Sequence, residues 1–321
     1  MHDDHHIRDY RKKKDMKKKI SVVIPNYNGR NLLERNLPQV IKTCPGCEII
    51  VVDDASTDDS IDLIRKNFPK VKIIENLKNL GFAKSVNLGV ENASGDLVLF
   101  LNTDVSPRTN FLKSAIKYYQ QTNLFAVGFA DYSHEDGKIV VRGRGGANFQ
   151  KGFVKHFALK PTSGETFWVS GGSALIDKKK FQKIGGFDSV YAPFYWEDID
   201  IGFRARKAGY ICLFDTSAKV DHFHQEGAIK KYYSHFYIKA VSYKNQFLFV
   251  WKNITDYFLL IQHFLWMPYH FLKALATFDV AFFVGFFWAL FQIPKLIFYY
   301  QLPTTDYQLS DKEVLKKFEK S

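Results

Sequence analysis

Four apolar runs near the start of the chain each stop at a cluster of oxygen-bearing side chains, and that arrangement leaves few folds open. The runs are Ile20 to Pro25, Glu48 to Val52, Val71 to Ile74 and Leu97 to Leu101. Helical patterning lies between them: one stretch ends near Thr43, one runs towards Phe68 with Ser56 or Thr57 as its cap, and one is opened by Asn79-Leu80-Gly81. Strand and helix alternating in this way predict right-handed βαβ units and a parallel sheet whose polar loops gather at one edge. The Leu97 run is apolar at every position, as in a strand buried on both faces. It ends in Asn102 and Asp104 with one residue between them. Ligands of open α/β sheets bind beyond the carboxyl ends of the strands, where a carboxylate can hold Mg²⁺ or Mn²⁺ while a diphosphate fills other coordination positions. The alternative is that Asn102-Thr103-Asp104 caps a following helix, since Ser106-Pro107 comes next.

Composition narrows the partners. A chain of 321 residues with 46% hydrophobic content buries a large core, and 45 basic against 33 acidic residues give +12, which favours anionic partners. No nucleic-acid motif accompanies the charge, so a nucleotide diphosphate or an anionic membrane surface is expected rather than nucleic acid. The glycine fingerprint of a dinucleotide fold after the first strand and the Gly-Lys-Ser/Thr of a P-loop are both missing. Three cysteines without a secretory signal point to a reducing, cytoplasmic setting. Cys44-Pro45-Gly46-Cys47 has redox spacing but precedes a strand, whereas a thioredoxin-type pair follows one. Residues 1–19, with Lys12-Lys13-Lys14 and Lys17-Lys18-Lys19, read as a flexible basic arm.

Further along, a helix is expected from 107 to about Gln121 and a strand from Leu124 to Phe129. Residues 131–165 read as a solvated loop or a mobile flap, whose Arg142 and Arg144 would approach a diphosphate or an anionic acceptor. Phe167 to Ile176 reads as a strand interrupted by Gly171 and Gly172, where a substrate approaches the backbone. Glu197, Asp198 and Asp200 open an amphipathic helix beside Tyr195 and Trp196. Acids at a helix N-terminus are favoured by the dipole alone. The aromatic neighbours also offer a flat platform for a sugar, beside which a carboxylate can deprotonate a hydroxyl.

Taken in order, Ser21-Val22-Val23-Ile24-Pro25-Asn26-Tyr27-Asn28, Val52-Asp53-Asp54-Ala55-Ser56-Thr57-Asp58, Asn79-Leu80-Gly81-Phe82-Ala83-Lys84 and Asn102-Thr103-Asp104 resemble the successive motifs of family 2 glycosyltransferases with the GT-A fold. The resemblance spans roughly residues 20 to 225. It implies a nucleotide-diphosphate sugar donor held by Pro25, Tyr27, Asp54, Gly81, Lys84 and Asn102, with the ion on Asp104. Asn102 departs from the family's first aspartate. The segment at Glu197 resembles the family's Glu-Asp motif, which implies Asp198 as the base of an inverting transfer, Glu197 as its neighbour in an acceptor-orienting role, and Trp196 and Gly172 on the acceptor side. Ala218 to His224 resembles the segment that closes the site, which implies His222, with His224 as its rival, as a second metal ligand.

From Ile229 onward apolar and aromatic runs dominate: Phe247 to Trp251, Phe258 to Ile261 and Val280 to Phe291. The last is too short to span a bilayer, so helices lying in the membrane interface are expected, assisted by Trp266, Trp288, Tyr299, Tyr300 and the basic surplus. Core helices, a dimer face that makes a homo-oligomer, or a re-entrant hairpin are the alternatives. The expected organisation is thus an arm (1–19), a GT-A catalytic domain (20–228) and a helical, membrane-associating region (229–321). The expected activity is metal-dependent, inverting transfer of a sugar to a hydroxyl of a glycan or lipid-linked acceptor in cell-surface polysaccharide synthesis, at the inner face of the cell membrane. A catalytically silent sugar-binding module of the same fold is the rival; a nucleotidyltransferase lacks its glycine-rich loop here.

Overall fold

A computed structural model describes residues 18–135, 137–223, 232–299 and 307–318, and the arm before Lys18, His224 and Tyr300 lie outside them. The four apolar runs form strands β1 (Ile20–Asn26), β2 (Glu48–Asp53), β3 (Lys72–Glu75) and β4 (Leu97–Leu101). Helices α1 (Arg30–Thr43), α2 (Ser60–Asn67) and α3 (Phe82–Glu91) alternate with them. The strands pair in parallel, in the spatial order β3-β2-β1-β4. Along β4, Leu97, Leu99 and Leu101 enter the core on one face of the sheet and Val98 and Phe100 the core on the other. An all-apolar strand is what two buried faces require.

Beyond β4 the sheet changes direction. Val105–Pro107 is a short strand, β5, rather than a helix start, and it pairs with the long strand β12 (Ile211–His222). The capping alternative for Asn102-Thr103-Asp104 therefore fails. Helix α4 (Phe111–Ile116) and one 3₁₀ turn fill the stretch to Gln120. Strand β6 (Leu124–Glu135) runs parallel to β12, and β11 (Ser173–Asp177) lies antiparallel between β4 and β6.

Most of the described residues of 131–165 lie in strands and not in a solvated loop. β6 continues to Glu135 and turns back as β7 (Lys138–Arg142); β8 (Gly145–Gln150) and β9 (Phe153–Ala158) form a separate two-stranded sheet; β10 (Gly164–Glu165) joins the edge of β12. Their arginines serve this framework. Arg142 pairs with Glu135 at 2.8 Å, and Arg144 donates to the Glu165 carbonyl and to Thr162 Oγ1. The expected cap of α2 is also replaced: Asp59 is its N-cap, while Ser56 donates to Asp53 and receives Asn28 N–H. Cys44 and Cys47 are free thiols ahead of β2.

After α5 (Lys178–Lys183) comes α6 (Glu197–Lys207), which starts where the sequence places it. The C-terminal helices are α7 (His235–Asn253), α8 (Tyr257–Ala276), α9 (Val280–Leu290), α10 (Ile293–Tyr299) and α11 (Asp311–Lys316). A third core joins β8, β9 and α6 to them, with Phe247, Leu248, Phe249 and Val250 fully buried. The Phe247 to Trp251 run is thus core, the alternative to membrane contact. Among the described residues no helix is long and apolar enough to cross a membrane.

An ionic cluster locks α6 to α7. Asp200 is fully buried and meets Arg204 at 2.6 Å, Lys252 at 2.9 Å, the Tyr191 hydroxyl at 2.8 Å and Asn253 Nδ2 at 2.7 Å. Burial alone would raise the Asp200 pKa, but the Arg204 and Lys252 cations hold it well below the usual carboxylate range. Removing the carboxylate takes from buried Arg204 an ion-pair partner and leaves Lys252 to Asp188. Asp200→Ala is therefore expected to cost about 3–5 kcal/mol in urea unfolding. Because the folded pKa lies below the unfolded one, this stabilisation is present above the unfolded value of about 4 and is lost as pH falls below it. A loss under about 1 kcal/mol in the urea experiment would show that the cluster contributes little.

Candidate active site

The strand ends deliver polar groups to one cleft of about 420 Å³, a size suited to a nucleotide sugar. Pro25, Asn26 and Tyr27 come from the end of β1, Asp54 from the end of β2, and Asn102, Thr103 and Asp104 from the end of β4. Asp54 works partly as a scaffold. Its Oδ1 accepts from Asn76 Nδ2 and Leu80 N–H and its Oδ2 from Gly81 N–H, all at 2.8 Å, so the loop before α3 is tied to the cleft floor. Gly81 has φ +82°, a conformation that glycine adopts without a Cβ clash. At Gly172 a Cβ would strike the Asn102 side chain, and Asn102 N–H bonds the Gly172 carbonyl at 2.9 Å.

Register explains how residues far apart in sequence reach Asp104. In the β12–β5 pairing His222 stands opposite Val105, and in the β12–β6 pairing opposite Ser133. Its Nδ1 lies 2.6 Å from Asp131 Oδ2 and its Nε2 lies 3.4 Å from Asp104 Oδ1. Burial alone would lower the His222 pKa, but the Asp104 and Asp131 carboxylates raise it to about 10. An aspartate on one ring nitrogen and an open carboxylate facing the other is the usual environment of a metal-ligating histidine. Asp104 Oδ1 is buried and has no hydrogen bond of good geometry, so it fits a cation. Among the described residues no group of three or more His, Cys, Asp or Glu side chains is disposed to hold an ion, so Asp104 and His222 would need substrate oxygens to complete a coordination shell.

Glu197 and Asp198 reach the cleft from the first turn of α6. Tyr195 and Trp196, just before them, have φ of +69° and +77°. Non-glycine residues there cost about 1–3 kcal/mol each and persist only where the surroundings fix them. Asn245 of α7 fixes them: its Nδ2 donates to the carbonyls of Tyr191, Phe194 and Tyr195 at 2.8–2.9 Å. The C-terminal region is therefore part of the site's support. Burial raises the Asp198 pKa to about 6, and burial together with the Asp198 charge raises that of Glu197 to about 8. Two carboxyls with raised pKa values share roughly one proton near neutrality.

Ten of the residues singled out from sequence line this cleft: Pro25, Tyr27, Asp54, Gly81, Asn102, Asp104, Gly172, Glu197, Asp198 and His222. Two do not. Trp196 is only 4% exposed, packed edge-on against His156 and tilted on Phe249 in the third core, so it offers no sugar platform; Tyr195, 40% exposed, lines the cleft instead. Lys84 stands exposed on the first turn of α3, outside the cleft lining. Asp200, the third acid of the helix start, is spent on the ionic cluster. Asp131, Phe194, Tyr232 and Tyr233 escape a sequence reading. Asp131 carries no motif, and the tyrosines follow a break in the pattern after His222 where only their pairing hints at a role.

The chain is similar to known proteins in the same terms. The family model Glycosyl transferase family 2 matches residues 21–185, just over half of the chain. An N-acetylglucosaminyl-diphospho-decaprenol L-rhamnosyltransferase of Mycobacterium tuberculosis is 23% identical over 263 residues, covering 72% of this chain and 83% of that protein. Among solved structures, GalNAc-T7 with UDP, GalNAc and Mn²⁺ superposes with a TM-score of 0.60 at 19% identity, over 73% of this chain and 48% of that one. Mannosyltransferase PcManGT of Pyrobaculum calidifontis, with GDP-Man and Mn²⁺, gives 0.53 at 16% identity, over 87% of this chain and 85% of that one. These likenesses establish the fold, and the extent of the family match establishes membership: the chain belongs to the family 2 glycosyltransferases and has their GT-A fold.

Proposed function

We propose that this glycosyltransferase moves a sugar, with inversion, from a nucleotide diphosphate to a hydroxyl of a glycan or lipid-linked acceptor in cell-surface polysaccharide synthesis. The observation that supports it best is that Asp104, from the end of β4, opens on one cleft with Glu197, Asp198 and His222 from the far later part of the domain sequence. Asp104 and His222 would hold a divalent ion, Mg²⁺ or Mn²⁺. Such an ion, when bound, neutralises charge on a departing diphosphate. Asp131 orients the His222 ring so that its Nε2 faces the cation position. The nucleotide lies against Pro25, Tyr27 and Asp54, and Asn102 sits where a ribose hydroxyl is bound.

Asp198 receives the acceptor proton. Ile199 N–H donates to its Oδ1 at 2.8 Å, which fixes the side chain, while burial keeps it basic enough to act near neutrality. Glu197, protonated over the same range, hydrogen-bonds the acceptor and leaves the pair's charge on Asp198. The Mycobacterium relative's named lipid-diphosphate substrate supports the lipid-linked form of acceptor, and the Mn²⁺ in both structural neighbours supports the ion. A silent binding module would have no use for a buried carboxyl pair at the cleft, which favours the enzyme.

Asp198→Asn should lower sugar transfer by about 10²–10⁴-fold and leave UDP or GDP affinity within about threefold. In the parent, transfer should rise with pH as Asp198 ionises and fall about tenfold per unit below pH 6. A variant with near-parental transfer would move the base elsewhere.

Asp131→Asn should weaken Mn²⁺ binding in the presence of UDP by about 10–100-fold in calorimetry, because it releases the His222 ring. Lys84→Ala should leave nucleotide affinity within about threefold, in keeping with its exposed position. UDP that binds equally well with chelator and with Mn²⁺ would remove the metal from the proposal.

A further inference from the structure

The C-terminal helices carry a surface that their own packing does not use. On α8, Phe264 is 63% exposed, Leu265 73%, Leu272 66% and Leu275 60%, while Leu259, His263 and Ala274 turn inward. Phe278, 89% exposed, continues the face beyond α8. Soluble chains seldom expose a contiguous apolar area of this kind without a partner.

The surroundings of the face identify the partner. From Tyr257 to Tyr299 the sequence holds one acid, Asp279, and that is the N-cap of α9, paired with Lys239 at 2.9 Å. The rim is basic. Lys151 stands 5.8 Å from the Trp266 ring and 5.0 Å from that of Tyr269, and Lys273 is exposed on α8 itself; Lys312, 4.7 Å from the Phe258 ring, is paired with Asp256 at 3.1 Å. An apolar helix face edged by Trp, Tyr and Lys matches a bilayer interface, where chains meet the apolar side chains and anionic headgroups meet the lysines. A second copy of this chain fits less well, since two-fold pairing would set one lysine rim against another.

The face continues on α9, where Val280 and Phe287 are exposed, and an aromatic series leads from α9 to the cleft. Phe194, in the cleft lining, packs on Tyr233 at 5.0 Å; Tyr233 stacks on Tyr237 of α7 at 5.1 Å; Tyr237 meets Trp288 of α9 at 5.6 Å. We propose that the α8–α9 face docks the protein on an anionic lipid surface without crossing it, and that this aromatic strip sets the cleft beside the headgroups. The docking stands apart from the transfer chemistry; together they favour the lipid-linked branch of acceptor.

The test uses the full chain and the double variant Phe264→Glu/Leu272→Glu, with phosphatidylcholine vesicles containing or lacking phosphatidylglycerol. The parent should float with phosphatidylglycerol vesicles, bind those of phosphatidylcholine alone at least about tenfold more weakly, and lose part of its binding in high salt. The double variant should lose at least about tenfold in vesicle binding and keep its Mn²⁺-dependent UDP affinity, which shows that fold and cleft are intact. Asp198→Asn should float like the parent, so failure of the transfer reading and failure of docking are separable. A parent that ignores both vesicles, a double variant that binds them as well as the parent does, or a parental dimer in light scattering that the double substitution dissolves while neither protein floats, would overturn the proposal.

Discussion

Asp200 sits where the structure most depends on one carboxylate. It is an acid in the first turn of α6, where the helix dipole would accept it exposed, yet it is buried among Arg204, Lys252, Tyr191 and Asn253. Lys252 also meets Asp188 at 2.7 Å, which brings the turn before α6 into the same cluster. Two neighbours of Asp200 in sequence, Glu197 and Asp198, are thereby held at the cleft. The cluster turns a run of three acids into one structural and two available groups.

The same region shows how a C-terminal helix becomes part of a catalytic domain. Asn245 of α7 binds three carbonyls of the segment 191–195, and that segment carries the left-handed Tyr195 and Trp196. Left-handed backbone at two consecutive aromatic residues is unfavourable unless imposed, and here one amide imposes it. The consequence is a sharp entry into α6 that sends Tyr195 to the cleft and Trp196 into the third core. A boundary near residue 228 separates sequence characters more than it separates structures.

On the opposite edge the constraint is strand register. Asp104, Asp131 and His222 belong to three segments, and the pairing of β12 with both β5 and β6 brings them together. A register slip of one residue in β12 would turn His222 away from Asp104 and put its neighbour in the site. The site thus has two halves with different supports: hydrogen-bonded strands hold the cation side, and an ionic and amide framework from α7 holds the base side.

The sequence by itself determined the parallel half of the sheet, because predominantly apolar runs of that length bounded by helices have few other places to go, and it located the strand-end groups Asp54, Asn102 and Asp104, since a strand must end where its apolar run ends. It also placed the start of α6. Tertiary structure alone decided which of the acids there face the cleft, because Asp200 and Asp198 differ by helix rotation and by what packs on them, neither of which is written locally. It alone set most of the described residues of 131–165 into strands: Ile139, Val140 and Val141 suit a strand, but the glycines and polar residues around them suit exposed strands and loops equally. It alone sorted the aromatic C-terminal runs into the core of α7 and the exposed face of α8: both are apolar in composition, and the difference lies in which side of each helix another element covers.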